Sequence, residues 1–286
     1  NNAANITESG LELTGLTQQQ VGAVFINNRQ FTASNGLFIE FEYMIYGGTG
    51  GDGLSMFLFD AYAKGPTIGA RGAGIGYAYN RAHSSFSSLR QLGLTGGYLG
   101  IALDVFGNFK GLRYQGESRV NGIPFDSYSM DNSIPASYNT QNHITLRGAV
   151  SKNIPYNYEG MRDPAYNGYP VLVSQPTNER FRRELDPSNN DGRYKATDNY
   201  YTGNTFNISG GSTFQNPIET AYGKAIIELF PAINSSDEND GFYVTVKVQH
   251  GNQLDTLIYD YHYKKSFIYQ ENAIVRGTEG DNGNAR

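Results

Sequence analysis

Cysteine is absent from the 286 residues, which excludes disulfide frameworks, thiolate zinc sites and cysteine nucleophiles together. No apolar run reaches the roughly 18 residues of a membrane-crossing helix, so no membrane span is expected. Basic charge is sparse: 22 Lys and Arg stand against 27 Asp and Glu, a net charge of −5, and no basic block occurs. A protein that tracks nucleic-acid phosphates is therefore not expected. The 4 histidines are scattered and offer no zinc-site spacing. Helical periodicity is nearly missing too; only 178–185, where Arg180, Arg182 and Arg183 stand beside Glu179 and Glu184, reads as a short solvated turn of helix.

What is present is β-structure. Hydrophobic residues make up 38%, and 35 glycines lift the apolar-plus-Gly share to an ordinary globular value, enough for a sizeable core. At about 150 residues per domain the length would suggest two domains, but sandwiches of this size stand as one. With no internal repeat or clean boundary, residues 1–286 read as one domain. Period-2 alternation recurs in 38–46, 54–60 and 242–250, where Phe242, Val244, Val246 and Val248 alternate with Tyr243, Thr245, Lys247 and Gln249. Gly251-Asn252 then turns the chain into 254–263, an antiparallel hairpin. Shorter strands are predicted at 11–16, 97–105, 143–150 and 225–230. The fold class is all-β, an antiparallel β-sandwich. Residues 151–220, rich in Tyr, Asn, Pro and Gly, read as a loop-rich insertion or extended surface loops, and long ordered loops are usually functional. There Tyr156, Tyr158, Tyr166 and Tyr169 either pack the insertion onto the sandwich or stack on a ligand.

Two segments carry candidate chemistry. One is Gly47-Gly48-Thr49-Gly50-Gly51-Asp52-Gly53, just before a strand; the other is Tyr98-Leu99-Gly100-Ile101-Ala102-Leu103-Asp104-Val105-Phe106-Gly107-Asn108, a strand running into a loop. Between them lies the glycine-rich stretch from Gly69 to Ala78. A carboxylate flanked by glycines can accept hydrogen bonds from vicinal hydroxyls, and glycines let backbone N–H groups approach a ligand. Asp104, the Phe106 carbonyl and Asn108 alternate along one side of an extended segment, and oxygen donors at that spacing suit Ca²⁺. Taken singly, each segment reads equally as turn glycines and strand-end caps. Together, on an all-β pattern, they point to a site.

The joint pattern resembles the legume-type (L-type) lectins in their bacterial surface-protein branch, with good motif density over 11–150 and again, more weakly, over 225–269. The resemblance implies a concanavalin-like jelly roll and a shallow, Ca²⁺-organised sugar site. It assigns sugar contact to Asp52, Gly72, Ala73, Phe106 and Asn108, and metal ligation to Asp104, Phe106, Asn108 and His143; the family's acid a few residues after Asn108 is missing here, Glu117 being the nearest, then Asp126 and Asp131. It also implies a cis peptide at Gly51–Asp52, a bond costing about 3 kcal/mol that persists at functional sites. The glutamate of the family's second, transition-metal site is replaced by Ala102, so one Ca²⁺ is expected.

The same sandwich also houses glycoside hydrolases, but the Glu-x-Asp-x-x-Glu run that sets their paired carboxylates is missing, as is any nucleophile elbow. The expectation is a carbohydrate-binding domain, not an enzyme, of a secreted or cell-surface bacterial adhesin, with a glycan or polysaccharide as partner. The alternative is a structural or protein-interaction domain of a surface filament that keeps the fold without binding sugar. A chain beginning at Asn1 is read as one whose targeting segment has been removed. Because 276–286 is too polar for a core strand, the sandwich is further expected either to take a completing strand from outside these residues or to cover its edge with 151–220.

Overall fold

The computed structural model describes residues 2–26, 30–31, 33–48, 51–63, 67–78, 93–107, 109, 118–120, 123–125, 141–149, 169, 171–178, 183–185, 194–196, 204–210, 222–232 and 241–264. Along the chain run β1 (Asn5–Thr7), β2 (Gly10–Glu12), β3 (Leu37–Met44), β4 (Gly53–Phe59), β5 (Gly97–Asp104), β6 (Ser118–Val120) and β7 (Ile123–Phe125). They are followed by β8 (His143–Arg147), β9 (Val171–Pro176), β10 (Arg183–Leu185), β11 (Tyr194–Ala196), β12 (Tyr222–Ala232), β13 (Gly241–His250) and β14 (Gln253–Lys264). Only two short 3-10 turns, Ala33–Asn35 and Gly72–Gly74, interrupt this pattern among the described residues.

All pairings are antiparallel and build two main sheets, one of six strands in the order β11-β10-β9-β8-β5-β4 and one of four in the order β14-β13-β12-β3. β1-β2 and β6-β7 are separate hairpins. The alternation that marks β3 in the sequence is its burial pattern, and β12 alternates in burial as well. Ala225, Ile227 and Leu229 point inward, while Lys224 and Glu228 point out and pair with Glu40 at 3.1 Å and Lys247 at 2.9 Å. Between the sheets Leu99, Ile101, Leu103, Ile144, Leu146 and Val173 meet Tyr43, Ile227, Val244, Val246 and Val248 in one core. The chain is an all-β sandwich. The Tyr263 phenol ties the layers: it donates to the Tyr98 carbonyl at 2.7 Å and accepts the Ala149 N–H at 2.9 Å.

β5 is buried on both faces because a second core covers the outer side of the six-stranded sheet. Ile75, Tyr77, Ala78, Leu94, Phe109 and Tyr169, all from loops, pack there on Ala102. The margin where β3 and β4 lie is different. Ile39, Phe41, Leu54, Met56 and Leu58 are only half-buried and line an open cleft of about 2040 Å³, bordered by the N-terminal segment.

Several sequence expectations shift. Residues 183–185 are strand, not helix: Arg183 and Glu184 pair with Ser174 and Val173 on one side and with Ala196 and Lys195 on the other, and this cross-strand pairing overrides the local charge pattern. Of the strand predicted at 11–16 only Leu11 and Glu12 are paired, in the hairpin of β1 and β2, closed by the Thr7 hydroxyl donating to the Gly10 carbonyl at 2.9 Å. Within 151–220, read as loops, Val171–Pro176 is an interior strand paired with β8 and β10. Tyr156, Tyr158, Tyr166 and residues 266–286 lie outside the described residues.

Candidate functional site

The site is built where β4 starts and β5 ends. Gly53 pairs with Asp104, and at φ 144 with the Leu103 carbonyl against its Cα it occupies a position a side chain would not fit. This close pairing carries Asp52 onto the end of β5. The Asp52 carbonyl accepts the N–H groups of both Val105 (3.0 Å) and Phe106 (3.2 Å). The Gly51–Asp52 peptide is trans, contrary to expectation; no cis bond occurs among the described residues. The two amides anchor Asp52 without one.

Asp104 is wholly buried, at 0% exposure. An ionised carboxylate out of water needs hydrogen bonds to its charged form, and the following loop supplies them. Gly107 N–H donates to Oδ1 at 2.7 Å and Phe109 N–H donates to Oδ2 at 2.9 Å. The loop thus wraps its amides around the carboxylate and turns the Phe106 ring outward, 50% exposed. The Phe106 backbone N–H is held by the Asp52 carbonyl, so the two residues adjoin.

His143 is the cross-strand neighbour of Asp104. Its Nδ1 shares a 3.1 Å hydrogen bond with the Ser174 hydroxyl, which is 2.8 Å from that of Thr145. Ser174 is 1% exposed, so this Ser–His contact is an interior packing network beyond reach of a substrate. Gly72 and Ala73 lie in the turn Gly72–Gly74, which docks on β4 through the Ser55 hydroxyl donating to the Ile75 carbonyl at 2.5 Å. Gly72 and Asp52 border the same cleft. Asn108 and Glu117 lie outside the described residues. Among the described residues no three His, Asp or Glu side chains are grouped to hold a metal ion.

Asp52, Asp104, Phe106 and His143 are therefore neighbours at one end of the six-stranded sheet, with the Gly72 turn along β4. Two residues of this region escape the sequence reading. Asn142, with φ 65, is buried and binds three segments: its N–H donates to Val105, its carbonyl accepts the Thr177 N–H, and its Oδ1 accepts the Ile208 N–H. Asparagine tolerates this left-handed backbone better than most residues, the one local signal available. Arg147 is the other, and its burial depends on loops remote in sequence. Compared with protein-family models, curated proteins and solved structures, the chain finds no match.

Proposed function

We propose that this chain is a Ca²⁺-organised carbohydrate-binding domain of the lectin type, with a concanavalin-like jelly roll, carried on an exported or cell-surface bacterial adhesin. The observation that supports this most is the junction of Asp52 with β5, where one backbone carbonyl holds the Val105 and Phe106 amides and so brings an acidic residue and an exposed phenylalanine to one place. A fixed acidic acceptor next to an aromatic face is what a sugar ring with vicinal hydroxyls requires. The donor set fits a hard cation: the Asp104 carboxylate and a loop carbonyl are oxygen ligands of the kind Ca²⁺ takes, to be joined by Asn108 and Glu117. Bound there, Ca²⁺ would neutralise the buried carboxylate and stiffen the loop. His143, oriented by Ser174, is the one nitrogen donor in the set and suits a softer ion.

A second reading has its own support. Both Asp104 oxygens already accept loop amides, so the carboxylate can hold the loop without a cation, as a structural or protein-interaction domain would need. A glycan array probed with Ca²⁺ and with chelator separates the two. The lectin reading expects glycan signal that disappears with chelator and in Asp52→Ala. No glycan bound in either condition would leave the interaction domain.

A further inference from the structure

We propose that Arg147 is a positioning residue for the candidate site: a buried cation that touches no ligand but fixes the loop on which Phe106 stands. Arg147 ends β8 at 0% exposure, inside the cluster formed by Tyr77, Phe109 and Tyr169. Burying a guanidinium is costly unless its donors are satisfied. Its Nε donates to the Phe109 carbonyl at 3.0 Å, its Nη1 donates to the Tyr169 carbonyl at 2.5 Å, and its Cζ lies over the Phe109 ring, 5.1 Å from the centroid. Both carbonyls belong to loop residues outside the strand ladders, where an aliphatic side chain could pack but could not donate.

The Phe109 residue is consequently gripped at both ends. Its N–H is held by the Asp104 carboxylate at 2.9 Å and its carbonyl by Arg147 at 3.0 Å. Asp104 pairs with His143, and Gly100 with Arg147, so the two charged posts stand on neighbouring strands of one sheet face, four residues apart in register. On adjacent antiparallel strands that separation is about 13 Å. Phe109 is held between an anionic post that takes its N–H and a cationic post that takes its carbonyl. Charge-assisted bonds at both posts set the path of the loop, and with it the direction of the Phe106 ring and the amides that surround Asp104. Only the ligand arm of the test below rests on the proposed sugar and cation site.

The chain contains no tryptophan, so Phe106→Trp introduces a single tryptophan on this loop, read apart from the tyrosines by red-edge excitation. Phe106→Trp is compared with Phe106→Trp/Arg147→Met and Phe106→Trp/Arg147→Lys, following tryptophan anisotropy, acrylamide quenching, hydrogen exchange at the Phe109 amide and titration with Ca²⁺ alone. In the methionine variant a cooperative melt should persist, while Phe109 exchange speeds about tenfold or more and anisotropy falls, as expected for loss of a charge-assisted bond that orders a loop. Lysine, a point charge that cannot fork to two carbonyls, should restore part of the ordering. Arg147 variants that lose stability while Phe109 exchange and tryptophan anisotropy stay at the parent's values would overturn the proposal, leaving a merely structural cation. If the methionine variant does not fold, the lysine variant decides by the same readouts. Should the wild-type chain bind no Ca²⁺, the sugar-site reading loses its support while the loop readouts still decide the role of Arg147. Should the parent bind it, Ca²⁺ affinity must fall with loop order.

Discussion

Gly100 has no side chain because the ring of Tyr77 occupies its place: a Cβ there would stand closer than 3.0 Å to three atoms of the ring. The ring is fixed, since its hydroxyl donates to the Gly148 carbonyl at 2.8 Å. Gly100→Ala should therefore cost about 1–3 kcal/mol by overpacking, and Tyr77→Ala about 3–5 kcal/mol by cavity formation. The double variant should lose less than the sum, because each change relieves the other. Urea denaturation of the three variants measures this; strict additivity would mean that the ring moves aside at no cost.

Alkaline pH should unfold the chain through its buried tyrosines. Burial pushes the Tyr77 hydroxyl well above its ordinary value, chiefly by desolvation with further contributions from Tyr263 and Tyr169, and desolvation raises Tyr43 as well. In the unfolded chain both ionise near pH 10. Below that pH both states keep the proton and the stabilisation is fully present. Above it the unfolded state releases protons that the folded state retains, so stability falls steadily toward the raised folded values. Tyr77→Phe should flatten this loss above pH 10 while costing about 1 kcal/mol at neutral pH for its hydrogen bond. Denaturation midpoints at pH 7 to 11 check the sign.

Replacing Asp104 by Asn turns one of its two acceptor oxygens into a donor facing an amide. The expected loss is about 1–3 kcal/mol, and more for Asp104→Ala. If Asp104 also holds Ca²⁺, saturating cation at about a hundred times Kd should add about 2.7 kcal/mol to the wild type and nothing to Asp104→Asn. Thermal melts with Ca²⁺ and with chelator read both effects at once.

Tyr263→Phe should separate the sheets energetically without emptying the space between them. The hydroxyl is the shared partner of the Tyr98 carbonyl and the Ala149 N–H, so its removal should cost about 1–3 kcal/mol. Loss of slow exchange at the Ala149 amide would locate the effect; an unchanged amide would show that this bridge is not formed in solution.

Alternation is legible in the sequence where a strand has one wet face: in β3 and the β13-β14 hairpin Glu40, Glu42 and Lys247 face water opposite Phe41 and Val246. β5 and β8, buried along both faces, are marked instead by their apolar residues. β9 was hidden because only Val171, Leu172 and Val173 mark it in a polar stretch, and its other alternating positions, Ser174 and Gln175, are polar yet buried. β10 was hidden by a charge pattern that suits a helix equally well. Asp52, Asp104 and Phe106 were each legible as residues beside turn glycines or a strand end, while their meeting across the β4-β5 pairing was expected only from the joint motif pattern and the resemblance. Arg147 and Asn142 were not, since what buries and bonds them comes from segments up to 66 residues away.

The half-open margin between β3 and β4 bears on how stability varies with temperature. The heat-capacity change of unfolding, about 12–15 cal/mol/K per residue in ordinary globular domains, measures apolar surface that water reaches only after unfolding. Along this margin Ile39, Phe41, Leu54, Met56 and Leu58 are already partly hydrated in the native state. The chain should therefore show a smaller heat-capacity step than its length predicts and a shallower stability curve, with cold weakening it less than it weakens a fully closed sandwich.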